Sequence, residues 1–371
     1  MHILNSNLKI NPKHVSGKGA FLFTKEGQKF FDCWLGSGTL IFGHENIDQR
    51  MFDINFLLPE GNYFSEEFKS LISKTVDFNI GAIGFQTSGS GAIHRACRIA
   101  RVITKKNKIA IIGKFWHGSD DAFLFEGDKA RILSDGIPVE SQINSIFFSS
   151  LDSFFENGDF KEIAGILVEP YQGADPSIDI FHSLNPERRK ILKDNQVLLI
   201  ADEVITGFRT RYGSTTSSRN AKPDIVIFGK AIGGGFPIGV VIVSEEFTSV
   251  IKENSIFWGG TFSASPFQIR MMELNLQRLA VFDFSILEKN LNDIKIKITR
   301  ILDGTAYKLA EGGGFGRIIA ADQKEDNSSA RGFLEKGKLA MQLARDIIEK
   351  ENIYINSNLL IFPSIYNINQ V

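Results

Sequence analysis

The middle of the chain alternates short, continuous apolar runs with longer amphipathic stretches. The runs Ala82–Gln86, Lys108–Ile112, Ser145–Phe148, Ala164–Val168, Val197–Ala201, Asp224–Phe228 and Gly239–Val243 predict strands. Helical spacing falls between several of them, as in Ala92–Thr104 and Pro186–Lys193. A strand that is apolar at nearly every position is buried on both faces, and helices between such strands supply the cover. The pattern therefore predicts an α/β fold with a mostly parallel sheet flanked by helices. From about Ser263 the pattern turns mainly helical, with a glycine-rich strand signal at Gly312–Ala320 and a helix at Ala330–Lys350. This tail, completed by amino-terminal strands near Ala20–Phe31, reads as a smaller α+β domain. The expected division is a large domain over 45–262 and a small domain built from 1–44 plus 263–371.

Composition narrows the partners. The 371 residues are 43% hydrophobic and 23% charged, ordinary for a globular chain, and 42 basic residues face 43 acidic ones. No basic stripe stands out, so neither nucleic acid nor an anionic membrane is expected as a partner. No apolar run is long enough to span a bilayer. Met1 to His14 is polar and lacks the apolar core of a secretory signal. Cys33 and Cys97 are far apart and form no redox or metal spacing, and the histidines are scattered. A reduced, cytoplasmic setting and no metal site are expected.

In an open α/β sheet, ligands bind beyond the carboxyl ends of the strands, and five polar features fall there. Lys230 follows the run Asp224–Phe228 and precedes three glycines. Desolvation at a strand end disfavours the ammonium and frees an amine that can attack a carbonyl. Thr87-Ser88-Gly89-Ser90-Gly91 forms a strand-to-helix turn whose backbone N–H groups and hydroxyls suit a phosphate. Phe115-Trp116-His117-Gly118 offers an aromatic plate. Asp202 ends the run Val197–Ala201 and needs a cationic partner, which a protonated pyridine nitrogen would satisfy. Glu169, with Gln172 beyond it, is placed to orient a ligand or an arginine. Each feature alone is also explained as a capped turn, a core aromatic or a salt bridge. Together they are the parts by which proteins hold pyridoxal 5'-phosphate (PLP): a Schiff-base lysine, an acid for the ring nitrogen and phosphate donors.

At these residues the sequence resembles the class III aminotransferases of the fold-type I PLP superfamily. The stretch from Leu199 to Gly239, "LIADEVITGFRTRYG…PDIVIFGKAIGGGFPIG", is the most specific part. The glutamate-1-semialdehyde 2,1-aminomutase branch is most similar, through "DEVITGFR", "GKAIGGGFPIG" and "GGTFSASP". The resemblance implies a seven-stranded large domain and a small domain from both chain ends. It implies that Lys230 carries the cofactor as a Schiff base and that Asp202 pairs with the pyridine nitrogen. Val204 would pack on one ring face and Trp116 on the other, while Gly89 and Ser90 hold the phosphate. Thr261 would reach the phosphate of a neighbouring subunit, since the family is typically dimeric.

The match departs from the family pattern in places. Gly91 stands where the family usually has a glutamate, Ile205 stands where many members have a glutamine, and no carboxy-terminal arginine is matched. The expected activity is an aminotransferase moving an amino group from a small donor, glutamate or alanine, to a ketone or aldehyde in a ping-pong cycle. The alternatives are glutamate-1-semialdehyde 2,1-aminomutase and a non-catalytic PLP-binding protein. Trp34, Ser37, Tyr63 and Arg209 are candidates for contacting substrate, each equally explained as packing, turn or surface.

Overall fold

The computed structural model describes residues 14–45, 64–126, 131–132, 134–217, 222–321, 342–343, 346–347, 350–356 and 358–370. Its centre is a seven-stranded sheet. In chain order the strands are β1 (Ile80–Gln86), β2 (Lys108–Ile112), β3 (Ser145–Phe148), β4 (Ile163–Val168), β5 (Leu198–Glu203), β6 (Ile225–Phe228) and β7 (Gly239–Ser244). All seven runs predicted from the apolar pattern are strands, with ends displaced by at most two residues. Across the sheet the order is β1-β7-β6-β5-β4-β2-β3. Only β7 runs against its neighbours, pairing antiparallel with β6 and β1. The other pairs are parallel. The carboxyl ends of β1 to β6 therefore meet along one edge.

Alternation within β5 shows how the sheet is buried on both faces. Leu199 and Ala201 join one apolar core, whereas Leu198 and Ile200 join the other. The second core is covered by the helix Gly89–Thr104 through Ala92, Ile93, Ala96 and Cys97. The same period of two continues into the polar end of the strand. It sends Asp202 to the face of helix Gly89–Thr104 and Glu203 to the opposite face.

Glu203 has 0% exposure, and its carboxylate is fully occupied. It accepts from Thr206 Oγ1 at 2.9 Å, Thr215 N at 3.0 Å, Thr215 Oγ1 at 2.8 Å and Thr216 N at 3.3 Å. Ser214 Oγ also donates to it. A buried carboxylate is tolerable only when hydrogen-bonded in this way. The cluster pins the loop 206–216 to the end of the strand that carries Asp202.

The second unit begins with a meander of His14–Lys18, Phe21–Thr24 and Lys29–Asp32, closed by a parallel pairing with Ile353–Tyr354. Segments far apart along the chain thus enter one sheet. The glycine-rich signal proves to be the hairpin Tyr307–Gly312 and Phe315–Ala320, joined by Leu360–Ile361. The helix Pro266–Ala280 places Ile269, Met271, Met272 and Leu276 in the core of the large sheet. In the next helix, Ser285–Leu302, Leu287 still belongs to that core, but Leu291, Ile294 and Ile298 belong to the other unit. Apolar contacts thus change hands about one turn into this helix. The helix expected over 330–350 lies almost wholly outside the described residues.

Replacing Glu203 by leucine leaves the donors of Thr206, Ser214, Thr215 and Thr216 without their acceptor. We expect a loss of about 3–5 kcal/mol in unfolding free energy, read as a lower denaturation midpoint than that of Ile200→Val, a control within the same strand.

Candidate active site

The carboxyl-end edge brings the predicted residues to one place. Strand β6 ends at Phe228, and Gly229 leads into a short 3₁₀ turn, Lys230–Gly233. Lys230 has φ 45°, a conformation that costs a non-glycine residue about 1 kcal/mol. Strain of this kind is kept where the surroundings over-determine it. Burial pushes the Lys230 amine down to about 8, with the nearby charge of Arg209 acting the same way. Asp202 and Glu169 pull it back up.

Asp202 is 3% exposed and makes two close contacts. Its Oδ2 lies 2.7 Å from His117 Nδ1, and its Oδ1 accepts from Val204 N at 3.1 Å. His117 is buried, stacks on Phe115 at 5.1 Å and meets the edge of Phe123. Its Nε2 has no hydrogen-bond partner among the described residues. Beside Trp116 in the Phe115–Gly118 motif, His117 reads from the sequence as a cofactor neighbour. The two rings differ in setting: Trp116 is half exposed, while His117 is buried against the Asp202 carboxylate. An imidazole in that position fixes the orientation of Asp202.

Glu169 lies just past β4 and is buried. It accepts from Trp116 N at 3.3 Å and Gly173 N at 3.2 Å. Burial, reinforced by the charge of Asp202, pushes its carboxyl up to about 8, against the pull of those two N–H groups and Lys230. The neutral acid therefore predominates below that pH. Arg317, from the hairpin of the other unit, donates to Gly173 O at 2.9 Å and lies within electrostatic reach of Glu169 and Asp175. Gly173 thus connects this carboxyl to the second unit.

The turn 87–91 opens the helix Gly89–Thr104. Ser88 caps the helix Gly89–Thr104 by accepting from Gly91 N at 3.1 Å. Ser90 Oγ accepts from Ser119 N at 3.2 Å, which leaves its O–H free to donate. A Cβ on Gly89 would lie 2.9 Å from Val204 Cγ1, and one on Gly229 would lie 3.1 Å from the same atom. Val204 is thereby wedged between the 87–91 turn and the Lys230 turn. A side chain on Gly91 would begin 3.3 Å from Gln86 Oε1, so the ground a larger residue would cover is partly taken. Thr261 is exposed on this chain, in a segment hung on β1 by Trp258, whose Nε1 donates to Phe85 O at 3.0 Å.

The four substrate candidates fare differently. Trp34 and Ser37 sit together, with Trp34 Nε1 donating to Ser37 Oγ at 2.9 Å. They belong to a turn at Leu35–Gly38 that packs against the Lys230 turn. Tyr63 lies outside the described residues. Arg209 is neither a surface residue nor open to a small molecule; it is 1% exposed, beneath Phe362, and donates to Gly38 O and Ile205 O. Its neighbour Arg211 is the solvated one. This burial is not legible along the chain, because nothing near Arg209 marks its partners Gly38 and Phe362, which are far away in sequence.

The chain belongs to the class III aminotransferases: the family model "Aminotransferase class-III" matches residues 6–350. Among curated proteins it is 36% identical over 265 residues to a glutamate-1-semialdehyde 2,1-aminomutase of Saccharolobus islandicus, covering 67% of this chain and 62% of that one. A protein of the same name from Methanosphaera stadtmanae is 34% identical over 273 residues, covering 68% and 63%. The matched region thus spans somewhat less than two thirds of these relatives. An omega-transaminase from Sphaerobacter thermophilus superposes with a TM-score of 0.80 at 20% identity, over 97% of this chain and 88% of that one. A glutamate-1-semialdehyde aminomutase from Pseudomonas aeruginosa PAO1 gives 0.78 at 16%, over 95% and 83%. These superpositions show the fold, that of the fold-type I transferases.

PLP is the cofactor of this family, and the residues present fit it. The lysine amine, the buried Asp202 carboxylate, the half-exposed Trp116 ring and the open helix start at Gly89 are of the right chemistry for it, and the wedge at Val204 leaves no room for side chains on Gly89 and Gly229.

With cofactor removed, acetic anhydride labelling of Lys230 should rise through about pH 8, while ordinary lysines follow near 10.4. The sign follows from the nucleophile being the neutral amine, which accumulates as pH exceeds the pKa. Peptide mass spectrometry across pH 6–11 reads both curves; coincidence of the two would contradict the burial assigned to Lys230.

Proposed function

We propose that this protein is a PLP-dependent aminotransferase, moving an amino group between a small amino donor and a ketone or aldehyde acceptor. The observation that carries the reading is the lowered amine of Lys230 set against the buried Asp202–His117 pair. When bound, PLP supplies an aldehyde that links to amines and a ring that withdraws electrons from the bonds beside that link. The chain's own residues do the rest. Lys230 Nζ, about half relieved of its proton near pH 8, would bind the aldehyde and later accept and return a proton. Asp202 holds negative charge where the ring nitrogen needs a counterion, and His117 keeps that carboxylate oriented. Ser88, Gly89 and Ser90 receive the phosphate at the helix start, and Trp116 and Val204 are placed to flank the ring. Glutamate and alanine are the donors we favour. We further propose a homodimer in which Thr261 serves the neighbouring subunit's phosphate; its exposure here supports that reading.

A second reading, intramolecular amino transfer on glutamate 1-semialdehyde, draws support from the names of the curated relatives. The two readings differ in stoichiometry. An aminotransferase needs a separate donor and releases a keto acid, whereas an aminomutase needs neither.

The test records the near-visible absorption of the protein with PLP, then adds L-glutamate or L-alanine. We expect a cofactor band that Lys230→Ala loses and that a donor converts, with keto acid released. Asp202→Asn should keep the cofactor but slow conversion by about 10²-fold or more, about 3 kcal/mol of lost charge stabilisation. A band indifferent to both donors but consumed with glutamate 1-semialdehyde would transfer the assignment to the aminomutase. No band in the wild type would sink the enzymatic reading.

A further inference from the structure

The turn Leu35–Gly38 is unusual in its backbone. Leu35, Gly36, Ser37 and Gly38 have φ of 49°, 60°, 60° and 81°, four consecutive residues in the left-handed region. Left-handed geometry costs about 1–2 kcal/mol at each non-glycine position, so Leu35 and Ser37 are held there by something else. Part of the hold is Asp32, whose Oδ1 accepts from Trp34 N at 2.8 Å and Leu35 N at 3.0 Å. Asp32 is itself fixed by His44 Nε2 at 2.9 Å. The rest comes from across the molecule, where Arg209 donates through Nη2 to Gly38 O. A Cβ on Gly38 would lie 2.5 Å from that same Nη2, so only glycine allows the approach.

Arg209 is a costly way to make this contact. It is 1% exposed, and its hydrogen-bond partners are the carbonyls of Gly38 and Ile205 (Nε, 3.0 Å). The Phe362 ring covers its guanidinium at 4.9 Å, and Gly314 backs its Cβ. Nη1 has no hydrogen-bond partner, and no carboxylate is paired with it, among the described residues. Carbonyl dipoles do not neutralise a buried charge, and an apolar residue of the same length would fill the space at lower cost. The charge is therefore retained for something other than stability. The turn it fastens, Leu35–Gly38, packs against the turn that carries Lys230, and its charge is within electrostatic reach of that amine.

We propose that Arg209 is a positioning residue for the chemistry at Lys230. It fastens the left-handed turn, with Trp34 and Ser37, against the turn that carries the lysine, and it brings the site its buried guanidinium. This rests on the proposed function in so far as Lys230 is the reactive amine. The other charged groups facing Lys230 are Asp202, which His117 shares, and Glu169, which Arg317 approaches. Both carboxylates favour the protonated amine, so Arg209 is the cation that offsets them. Its tie to Gly38 makes that offset depend on the turn being closed.

Three variants separate charge from tether. Arg209→Met removes both, Arg209→Gln removes the charge but keeps a donor, and Arg209→Lys keeps the charge but not the forked reach. Two readouts are made on the cofactor-loaded protein: the pH midpoint of the near-visible cofactor band, and backbone hydrogen exchange over residues 34–40. Removing a cation favours the protonated form, so the midpoint should rise by about 0.5 pH unit or more in Arg209→Met and Arg209→Gln, and stay near wild type in Arg209→Lys. Exchange over 34–40 should quicken by about 10-fold or more in Arg209→Met and Arg209→Lys, with β5 and β6 unchanged. Midpoints in both neutral variants equal to wild type, or an equal shift in Arg209→Lys, would overturn the proposal. Should Arg209→Met fail to fold, Arg209→Gln and Arg209→Lys decide the same question. If the wild type shows no cofactor band, it is the proposed function that fails. Arg209 is then judged on exchange alone, with protection of 34–40 unchanged in Arg209→Lys counting against it.

Discussion

The buried carboxylate of Asp202 is the constraint around which the rest is arranged. A charge at 3% exposure cannot stand alone in an apolar sheet. Its immediate company is one imidazole and one backbone N–H. Strand alternation decides that it faces the helix Gly89–Thr104, which the 87–91 turn opens, while Glu203 beside it is turned away and fully hydrogen-bonded. Two adjacent acids thus separate into a satisfied anchor and an under-neutralised one. The second kind is what a cationic ligand atom completes.

Electrostatic balance at Lys230 follows from the same geometry. Two carboxyls pull the amine towards its charged form and one guanidinium opposes them, all three in a desolvated setting where such influences reach further than in water. The amine and the Glu169 carboxyl both come to lie near 8. Around pH 8, then, neither group is locked into a single protonation state. A site that must both take up and release a proton needs this kind of poise.

Much of this was legible in the sequence, for identifiable reasons. Parallel strands buried on both faces are apolar throughout, so each of the seven announced itself without help from its neighbours. Lys230, Asp202, Glu169 and the 87–91 turn stand at strand ends, where a polar residue after an apolar run is conspicuous. What stayed hidden depends on distance along the chain. His117 and Asp202 are 85 residues apart and Arg209 and Gly38 are 171 apart; neither pairing leaves a local trace. Glu203 was overlooked beside its more suggestive neighbour, although the hydroxyl-rich Thr206 and Ser214-Thr215-Thr216 were its available signal. Arg209 was visible as a charge but not as a buried one, since burial there is supplied by Phe362 and Gly314 from the far end of the chain.

The notch at Gly84 has a consequence for the exposed segment that carries Thr261. A Cβ on Gly84 would collide with the indole of Trp258, so the absence of a side chain in mid-strand is what lets that ring lie flat against β1. The ring anchors a stretch that otherwise shows Phe257 at 74% and Phe262 at 61% exposure. Surface segments usually carry conformational freedom that must be surrendered when anything closes over them. Here the Trp258 anchor ties the stretch to β1. The missing side chain at Gly84 is thus what lets a solvent-facing loop be fastened to the sheet, and a fastened loop has less entropy to lose in any contact made through it.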